Sequence, residues 1–144
     1  MSGPRPAVGV GAVLLDSAGR VLLGRRVKAG ERETWCLPGG HLEAGETFES
    51  AAAREADEEA GLAVGDPSVF ALAVRLDGSG VTVGVAGRGG GTPVVREPHV
   101  FAEWTWVARD ALPSPLFPAS AVLLALWWGT AAPSGWSAHR VGPA

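Results

Sequence analysis

One uninterrupted stretch, residues 47–60, constrains the fold of this chain more than any other. It contains neither glycine nor proline and is dominated by alanine, glutamate and arginine, a composition that favours an α-helix. Thr47 suits the N-cap position, Glu49 suits the first turn, and Gly61 suits a helix end. The segment therefore predicts a helix that begins after Thr47 and ends at Gly61.

Apolar and β-branched runs lie on both sides of this helix and predict strands. They cover residues 8–16, 20–27, 68–76, 81–87 and 101–108. The first two runs are joined by a short Ser-Ala-Gly segment, which predicts a hairpin. A proline near the start of residues 118–128 predicts a second helix there. Strands before and after one long helix, with another helix near the end, predict an α/β layered domain.

Two segments are predicted to lack regular structure. Pro38, Gly39 and Gly40 should break regular structure and begin a turn. Residues 131–144 resemble a loop and are predicted to form a flexible tail. With 144 residues, the whole chain, 1–144, is predicted to form a single domain.

Composition limits the possible partners and the compartment. The net charge is −3 and the basic residues form no run, which argues against a nucleic-acid or anionic-membrane surface. No apolar run reaches the 18 or so residues that a membrane-spanning helix needs. Cys36 is the only cysteine, which excludes a disulfide framework and cysteine-based metal sites. We therefore expect a reducing compartment, the cytoplasm.

Three carboxylates of the long helix share one face. Glu55, Glu58 and Glu59 stand at i, i+3 and i+4, where like charges repel each other. An ordinary solvated acidic face is one explanation, and Asp57, which points elsewhere around the helix, fits it. The other explanation is a cation site, because Mg²⁺ and Mn²⁺ prefer carboxylate, carbonyl and water oxygens. The glycine-rich turn just before the helix could supply such carbonyls.

The spacing of these residues resembles the Nudix box of the Nudix hydrolase family. Gly40 is followed after five residues by Glu46, and after seven more by the run from Arg54 to Leu62, so that residues 40–62 fill every fixed position of the box. The resemblance implies an α/β fold in which an α/β/α sandwich surrounds a mixed sheet. It also implies a hydrolase that uses divalent cations, Mg²⁺ or Mn²⁺, to cleave a nucleoside diphosphate linked to another group.

The resemblance assigns roles to individual residues. Glu55, Glu58 and Glu59 correspond to the metal-binding carboxylates, and the Gly40 carbonyl corresponds to a further ligand. Arg54 and Glu46 correspond to an ion pair that braces the loop and helix. Glu58 is one candidate for the general base, and which carboxylate serves remains open. Outside the box, Glu97 is a candidate for one more metal-binding carboxylate, with an ordinary loop glutamate as the alternative.

The segments that flank the box are similar to nucleotide triphosphate diphosphatases of the Nudix 15 type and their MutT-like relatives. They read VGVGAVLLDSAGRVLLGRR, WCLPGGHLEAGET and EPHVFAEWTWVARDALP. This similarity implies cleavage of an NTP or dNTP, including modified ones, to a nucleoside monophosphate and pyrophosphate. Two alternatives stay open: an ADP-ribose or nucleotide-sugar pyrophosphatase, and a nucleotide-binding sensor without catalysis. The intact glutamates argue against the sensor.

Residues outside the box must select the nucleotide. Arg25 on a predicted strand, His41 after the glycine turn and Phe117 before the second helix are candidates for substrate contacts. Strand alternation should place Arg25 and Arg26 on opposite faces. Trp127 and Trp128 are adjacent on a helix, so we expect one to be buried and the other to be available for a homodimer contact.

Overall fold

The computed structural model of the protein describes residues 5–142, which contain eight strands, two α-helices and one short 3₁₀-helix. The elements are β1 (Ala7–Leu15), β2 (Val21–Arg26), β3 (Thr34–Cys36), β4 (Gly39–His41), α1 (Phe48–Ala60), β5 (Gly65–Arg75), β6 (Gly80–Arg88), β7 (Phe101–Val107), the 3₁₀-helix (Arg109–Ala111), α2 (Pro118–Trp128) and β8 (Trp136–Arg140). Within the described range, neither helix is long and apolar enough to cross a membrane.

The strands form one mixed sheet in the order β3-β2-β1-β6-β5-β8, with β4 also paired to β1 and β7 to β2. Only β1 and β6 are paired in parallel among the described strands; the other pairs are antiparallel. The start of β1 pairs with β4, whereas its last residue, Leu15, pairs with Val21 of β2. This division of β1 brings the segment before α1 into the centre of the molecule.

The two helices pack on opposite faces of this sheet, as the alternation of side chains along β1 shows. Ala12 belongs to a buried cluster with Ala52 of α1. Its neighbour Val13 belongs instead to the large buried cluster that includes Leu123 and Leu124 of α2. The result is three layers, helix, sheet and helix, which confirms the predicted α/β/α sandwich.

The boundaries of α1 follow from its caps. The Thr47 hydroxyl accepts a hydrogen bond from the Ser50 N–H at 3.0 Å, and the Ser50 hydroxyl accepts one from the Thr47 N–H at 3.0 Å. Gly61 ends the helix in the left-handed conformation, with φ of 69°, which glycine adopts without steric strain. The predicted helix start and end are therefore confirmed, and so is α2.

Two predictions of irregular structure are wrong. Gly39 and Gly40 do not begin a turn but form β4 with His41, because a residue without a side chain is needed where Gly39 approaches the carbonyl of Val10. The flexible tail is also wrong for Trp136–Arg140, which form β8 on the outer edge of β5. Pairing there satisfies backbone groups that an edge strand would otherwise expose. Residues 1–4 of the predicted domain and residues 143–144 of the predicted tail lie outside the described residues.

Neither tryptophan at the end of α2 is fully buried. Trp127 packs edge-on against the ring of Phe70, with the ring centroids 5.1 Å apart. The Arg109 guanidinium lies over Trp128 at 5.3 Å from the ring centroid. Both side chains are half-buried in the monomer, so the expected difference between them is absent and a homodimer contact stays a prediction.

Candidate active site

Three glutamates of α1 differ sharply in their exposure. Glu59 is only 6% exposed, and its Oε1 accepts a hydrogen bond from the Gly39 N–H at 2.8 Å. Glu55 is largely buried against Gly40, where a Cβ atom would overlap its carboxylate. The Glu58 side chain is 51% exposed. The helix face that carries these glutamates is thus turned toward β4. Glu59 and Glu55 can approach the β4 backbone closely because the residues they contact, Gly39 and Gly40, have no side chains.

Arg54 connects these carboxylates to the loop before the helix. Its Nε and Nη2 donate to the two carboxylate oxygens of Glu46 at 2.7 and 3.0 Å, the paired arrangement that a planar guanidinium favours. Its Nη1 donates to Glu55 at 2.9 Å and to Glu58 at 3.2 Å. Nη2 also donates to the His41 carbonyl at 3.1 Å. The predicted Glu46–Arg54 ion pair is present, and Arg54 fixes two further glutamates as well.

Burial changes the proton affinity of this group. Loss of hydration raises the pKa of Glu59 to about 8, and it also raises the pKa of Glu55, against the opposing effect of Arg54. By contrast, the hydrogen bonds from Arg54 lower the pKa of Glu46. Negative charge in the buried pair is therefore costly, and a bound cation would reduce that cost.

The loop between β6 and β7, which carries Glu97, contacts the end of α1. Within that loop the Val94 N–H donates to the Ala60 carbonyl at 2.9 Å, and the Arg96 N–H donates to the Glu59 carbonyl at 3.4 Å. The loop is thereby attached to the last turn of α1. The negative charge of Glu97 makes a small contribution to the raised pKa of both Glu55 and Glu59. No sequence signal pointed to this attachment.

The donor set suits a hard divalent cation. Glu55, Glu58, Glu59 and the Gly40 carbonyl offer only oxygen, the ligand type that Mg²⁺ and Mn²⁺ prefer. Between residues 5 and 142, however, no three acidic, histidine or cysteine side chains converge enough to enclose an ion. The reason lies in the hydrogen bonds just described: Arg54 holds two of the carboxylates and the Gly39 N–H holds the third.

A cavity of about 310 Å³ begins beside Glu59 and Gly40 and extends to the first turns of α2. Glu59 contributes its carboxylate, and the rest of the lining is mostly apolar and aromatic. Its lining comprises Gly9, Val10, Gly11, Arg26, Cys36, Leu37, Gly39, Gly40, His41, Glu59, Thr82, Phe101, Phe117, Ala119, Ser120 and Leu123. Burial raises the pKa of Cys36 to about 12, so this residue lines the cavity as a neutral thiol.

Two of the three predicted substrate-contact residues, His41 and Phe117, line this cavity, and Arg25 does not. Arg25 points to the other side of β2, where it pairs with Glu33 at 2.9 Å and with Glu103 at 3.5 Å. Its neighbour Arg26 faces the cavity, and its guanidinium lies 5.3 Å from the centroid of the Phe117 ring. The alternation of side chains along a strand correctly predicted that Arg25 and Arg26 lie on opposite faces of the sheet. It could not predict which of these faces carries the cavity.

Several lining residues had no sequence signal. Ser120 lies on α2, Thr82 on β6 and Leu37 between β3 and β4, so only the packing of distant segments brings them together. Gly9 and Gly11 of β1 also line the cavity, and their lack of side chains leaves space in it. A Cβ atom at Gly11 would overlap the side chain of Leu123.

Comparisons with known proteins agree with this geometry. A family model described as NUDIX domain matches residues 5–127. An RNA pyrophosphohydrolase of Novosphingobium aromaticivorans is 30% identical, in an alignment that covers 79% of this chain and 83% of the relative.

Solved structures give the same result for the fold. A MutT NUDIX hydrolase from Burkholderia pseudomallei is 33% identical, with a TM-score of 0.75 over 84% of this chain and 97% of the other. The NUDIX domain of Shewanella oneidensis NrtR, solved in complex with ADP ribose, is 20% identical with a TM-score of 0.72, and the alignment covers 88% and 89% of the two chains. At that identity the second likeness concerns the fold alone.

Proposed function

Because this chain belongs to the NUDIX domain family and is a hydrolase of phosphoanhydride bonds, we propose that it cleaves a nucleoside triphosphate to a nucleoside monophosphate and pyrophosphate. The observation that carries this proposal is one cavity whose lining includes both the buried carboxylate of Glu59 and an apolar, aromatic surface with Phe117. Phosphates belong at Glu59 and a nucleobase at Phe117. The cavity volume of about 310 Å³ is at the lower end of the range for small-molecule sites.

Members of this family generally use divalent metal ions, and we propose Mg²⁺ or Mn²⁺ held by Glu55, Glu58, Glu59 and the Gly40 carbonyl. Such ions neutralise charge on phosphate oxygens and lower the pKa of a bound water. Arg54 then orients the ligands by retaining its bonds to Glu46 while releasing Glu55 and Glu58. Glu97 supplies a further carboxylate beside Glu55 and Glu59.

A carboxylate must accept the proton of the attacking water. Glu58 is our candidate, because its side chain is half exposed and can therefore reach a solvent water. Glu97 is the second candidate, from a different segment. The two can be separated by the pH dependence of kcat for the Glu58→Gln and Glu97→Gln variants, since only loss of the base removes the acidic limb of the profile.

The cavity-facing arginine should contact the substrate. We expect Arg26→Ala to raise KM about tenfold, the effect of losing one hydrogen bond between a charged donor and an anionic or polar ligand. Arg25→Ala should change KM less than about twofold, because Arg25 does not line the cavity, whereas Arg26 lines it while also pairing with Glu31. Steady-state kinetics of the two variants make the comparison, and equal effects would contradict the assignment of the cavity as the substrate site.

A second candidate function comes from the relatives. The N. aromaticivorans protein is named an RNA pyrophosphohydrolase, so the substrate of this chain could be a 5′-triphosphate on RNA, cleaved at the same type of bond. The surroundings of the site favour the free nucleotide, because Glu43 before α1 and Glu58 on its acidic face expose negative charge, where an RNA strand would need basic contacts.

One set of assays tests both functions. Purified protein with Mg²⁺ or Mn²⁺ is incubated with the common NTPs and dNTPs, with 5′-triphosphate RNA, with ADP-ribose and with nucleotide sugars. We expect pyrophosphate release from free nucleotides with kcat/KM at least about tenfold above that for RNA. Preferred cleavage of RNA, of ADP-ribose or of a nucleotide sugar would replace the proposed substrate. Binding without any cleavage would favour the sensor.

We also propose the cytoplasm as the compartment, because the sole cysteine is a buried thiol.

A further inference from the structure

The strand β8 presents one row of backbone groups at the edge of the sheet. On its inner side it bonds to β5: the Val141 N–H donates to the Phe70 carbonyl at 2.9 Å, and the Leu76 N–H donates to the Gly135 carbonyl at 3.0 Å. Successive residues of an antiparallel strand direct their backbone groups to alternate sides. The backbone groups that point outward therefore belong to Trp136, Ala138 and Arg140.

These outward groups have no strand beside them. Within residues 5–142, β8 pairs with β5 alone, and no backbone hydrogen bond reaches the N–H or the carbonyl of its three outward-facing residues. The opposite edge of the sheet is covered, because the Trp35 N–H of β3 donates to the Pro115 carbonyl at 2.9 Å and the Phe117 N–H donates to the Trp35 carbonyl at 2.7 Å. An uncovered edge is a template for one more strand.

The features that commonly block an edge strand are missing from β8. Proline, a bulge or a projecting charge ordinarily prevents pairing. β8 contains no proline, and its register with β5 is continuous. Its one permanently charged side chain, Arg140, is turned back to α2, where Nη1 donates to the Leu126 carbonyl at 2.9 Å. The edge is therefore open to a partner strand.

A second copy of β8 can pair with every outward group in one register. Two identical antiparallel strands are related by a two-fold axis. An axis at Ala138 sets this residue opposite its own copy and sets Trp136 opposite Arg140. Each hydrogen-bonded pair exchanges two bonds, so all outward N–H and carbonyl groups of both copies are satisfied. An axis at Ser137 or His139 would instead set Arg140 or Trp136 opposite a residue outside β8.

The side chains are complementary in the same register. Ala138 at the axis is small, so its two copies meet without steric conflict. Arg140 faces the Trp136 indole and no second cation. His139 faces Ser137, a pair of side chains that already bond to each other within one chain at 2.8 Å. Like charges directly opposite each other destabilise paired strands, and this register places none there.

We propose that β8 is a homodimer interface, in which two copies pair antiparallel about a two-fold axis at Ala138 and join their sheets into one. Among the residues that line the cavity beside Glu59, none lies on β5 or β8. Pairing at β8 therefore leaves both cavities open. The inference concerns assembly and does not depend on the proposed function.

Amide hydrogen exchange at two protein concentrations tests this interface residue by residue. Where sedimentation shows a dimer, we expect slow exchange at the outward N–H groups of Trp136, Ala138 and Arg140, and fast exchange after dilution to the monomer. The N–H groups of Ser137 and His139 face β5 and should be protected at both concentrations. A monomer at every concentration, a dimer without this new protection, or protection that is independent of concentration would overturn the proposal.

Ala138→Pro tests the same bonds by substitution. It removes an outward N–H and keeps the bonds to β5, because a strand tolerates proline where the nitrogen faces away from the ladder. We expect the Kd of the dimer to rise at least about tenfold. Ala138→Gly is the matched control, since it keeps the N–H and should still dimerise. An equal Kd for the two variants would contradict pairing through β8.

Ala138→Cys gives an answer even if the proline variant fails to fold. The Cα atoms of a hydrogen-bonded antiparallel pair lie about 5.5 Å apart, within the reach of a disulfide. With diamide as the oxidant, we expect a covalent dimer from Ala138→Cys. Ser137→Cys should give none, because its two copies would be offset by about 7 Å along the strands. Cross-linking of both variants, or of neither, would overturn the two-fold axis at Ala138.

Discussion

Glu59→Gln is expected to abolish catalysis and, without metal, to stabilise the fold. Removing an outer-shell partner of a metal ligand costs about 10–100-fold in affinity or activity, so loss of a direct carboxylate ligand should lower kcat/KM at least about 100-fold. The fold keeps its contacts, since the amide oxygen of Gln can still accept from the Gly39 N–H. Activity assays with Mg²⁺ and denaturant unfolding with a chelator measure the two effects.

The stabilisation has a defined dependence on pH. Burial raises the pKa of Glu59 from 4.5 to about 8 in the folded protein. Between these values the folded state holds a proton that the unfolded state has lost, so the wild-type free energy of unfolding falls as pH rises from about 4.5 to about 8. Glu59→Gln has no carboxyl group at this position, so its free energy of unfolding does not fall in this way as pH rises. We therefore expect no difference below about pH 4.5 and a gain of at most about 5 kcal/mol for the variant at pH 9, since each pKa unit corresponds to about 1.4 kcal/mol.

Glu58→Gln is the matched control for the stability measurement. It removes the same charge from the same helix face, but the Glu58 side chain is half exposed and gains little from neutralisation. Added Mg²⁺ should raise the stability of the wild type more than that of Glu59→Gln, because binding to the folded state stabilises it. Parallel pH profiles for wild type and Glu59→Gln would show that Glu59 is solvated, and retained turnover would remove it from the metal site.

Arg54→Lys is expected to lower both activity and stability. Lysine cannot place two parallel hydrogen bonds on Glu46 while also reaching Glu55 and Glu58. We expect kcat/KM to fall about 10–100-fold, as for other residues that orient metal ligands. The free energy of unfolding should fall by about 2 kcal/mol, the scale of hydrogen bonds to charged groups. Kinetics over a range of Mg²⁺ concentrations and denaturant unfolding measure the two losses.

Arg96→Lys provides the comparison, because Arg96 lies in the loop after β6 and pairs with another carboxylate of α1. Arg96 contacts Asp57 at 3.5 Å with both side chains well exposed, a type of pair worth little to stability. Its substitution should therefore change the free energy of unfolding by less than about 1 kcal/mol. If Arg54→Lys behaves like Arg96→Lys in both measurements, Arg54 does not brace the site.

Much of the architecture could be predicted because its signals are local. The cap residues Thr47 and Gly61 lie next to the helix that they delimit, and the bonds they form are within a few residues. The three glutamates share a face because the helical repeat alone determines it. The strand at β4 could not be predicted, since Gly39 and Gly40 are ordinarily turn residues and become a strand only when β1 lies beside them. The same holds for β8, whose pairing with β5 depends on contacts about 65 residues apart in the chain.

By itself, the sequence determined the helix with its carboxylate face, the Glu46–Arg54 pair and the family that their spacing indicates, because these features depend on positions within one turn-and-helix segment. Tertiary structure alone decided that Arg26 rather than Arg25 faces the cavity and that Ser120 enters it. It also decided that Glu59 is buried. Those outcomes depend on which face of the sheet each helix covers and on how closely the glycines of β1 and β4 approach it. Such distances arise only when segments far apart in the sequence pack together.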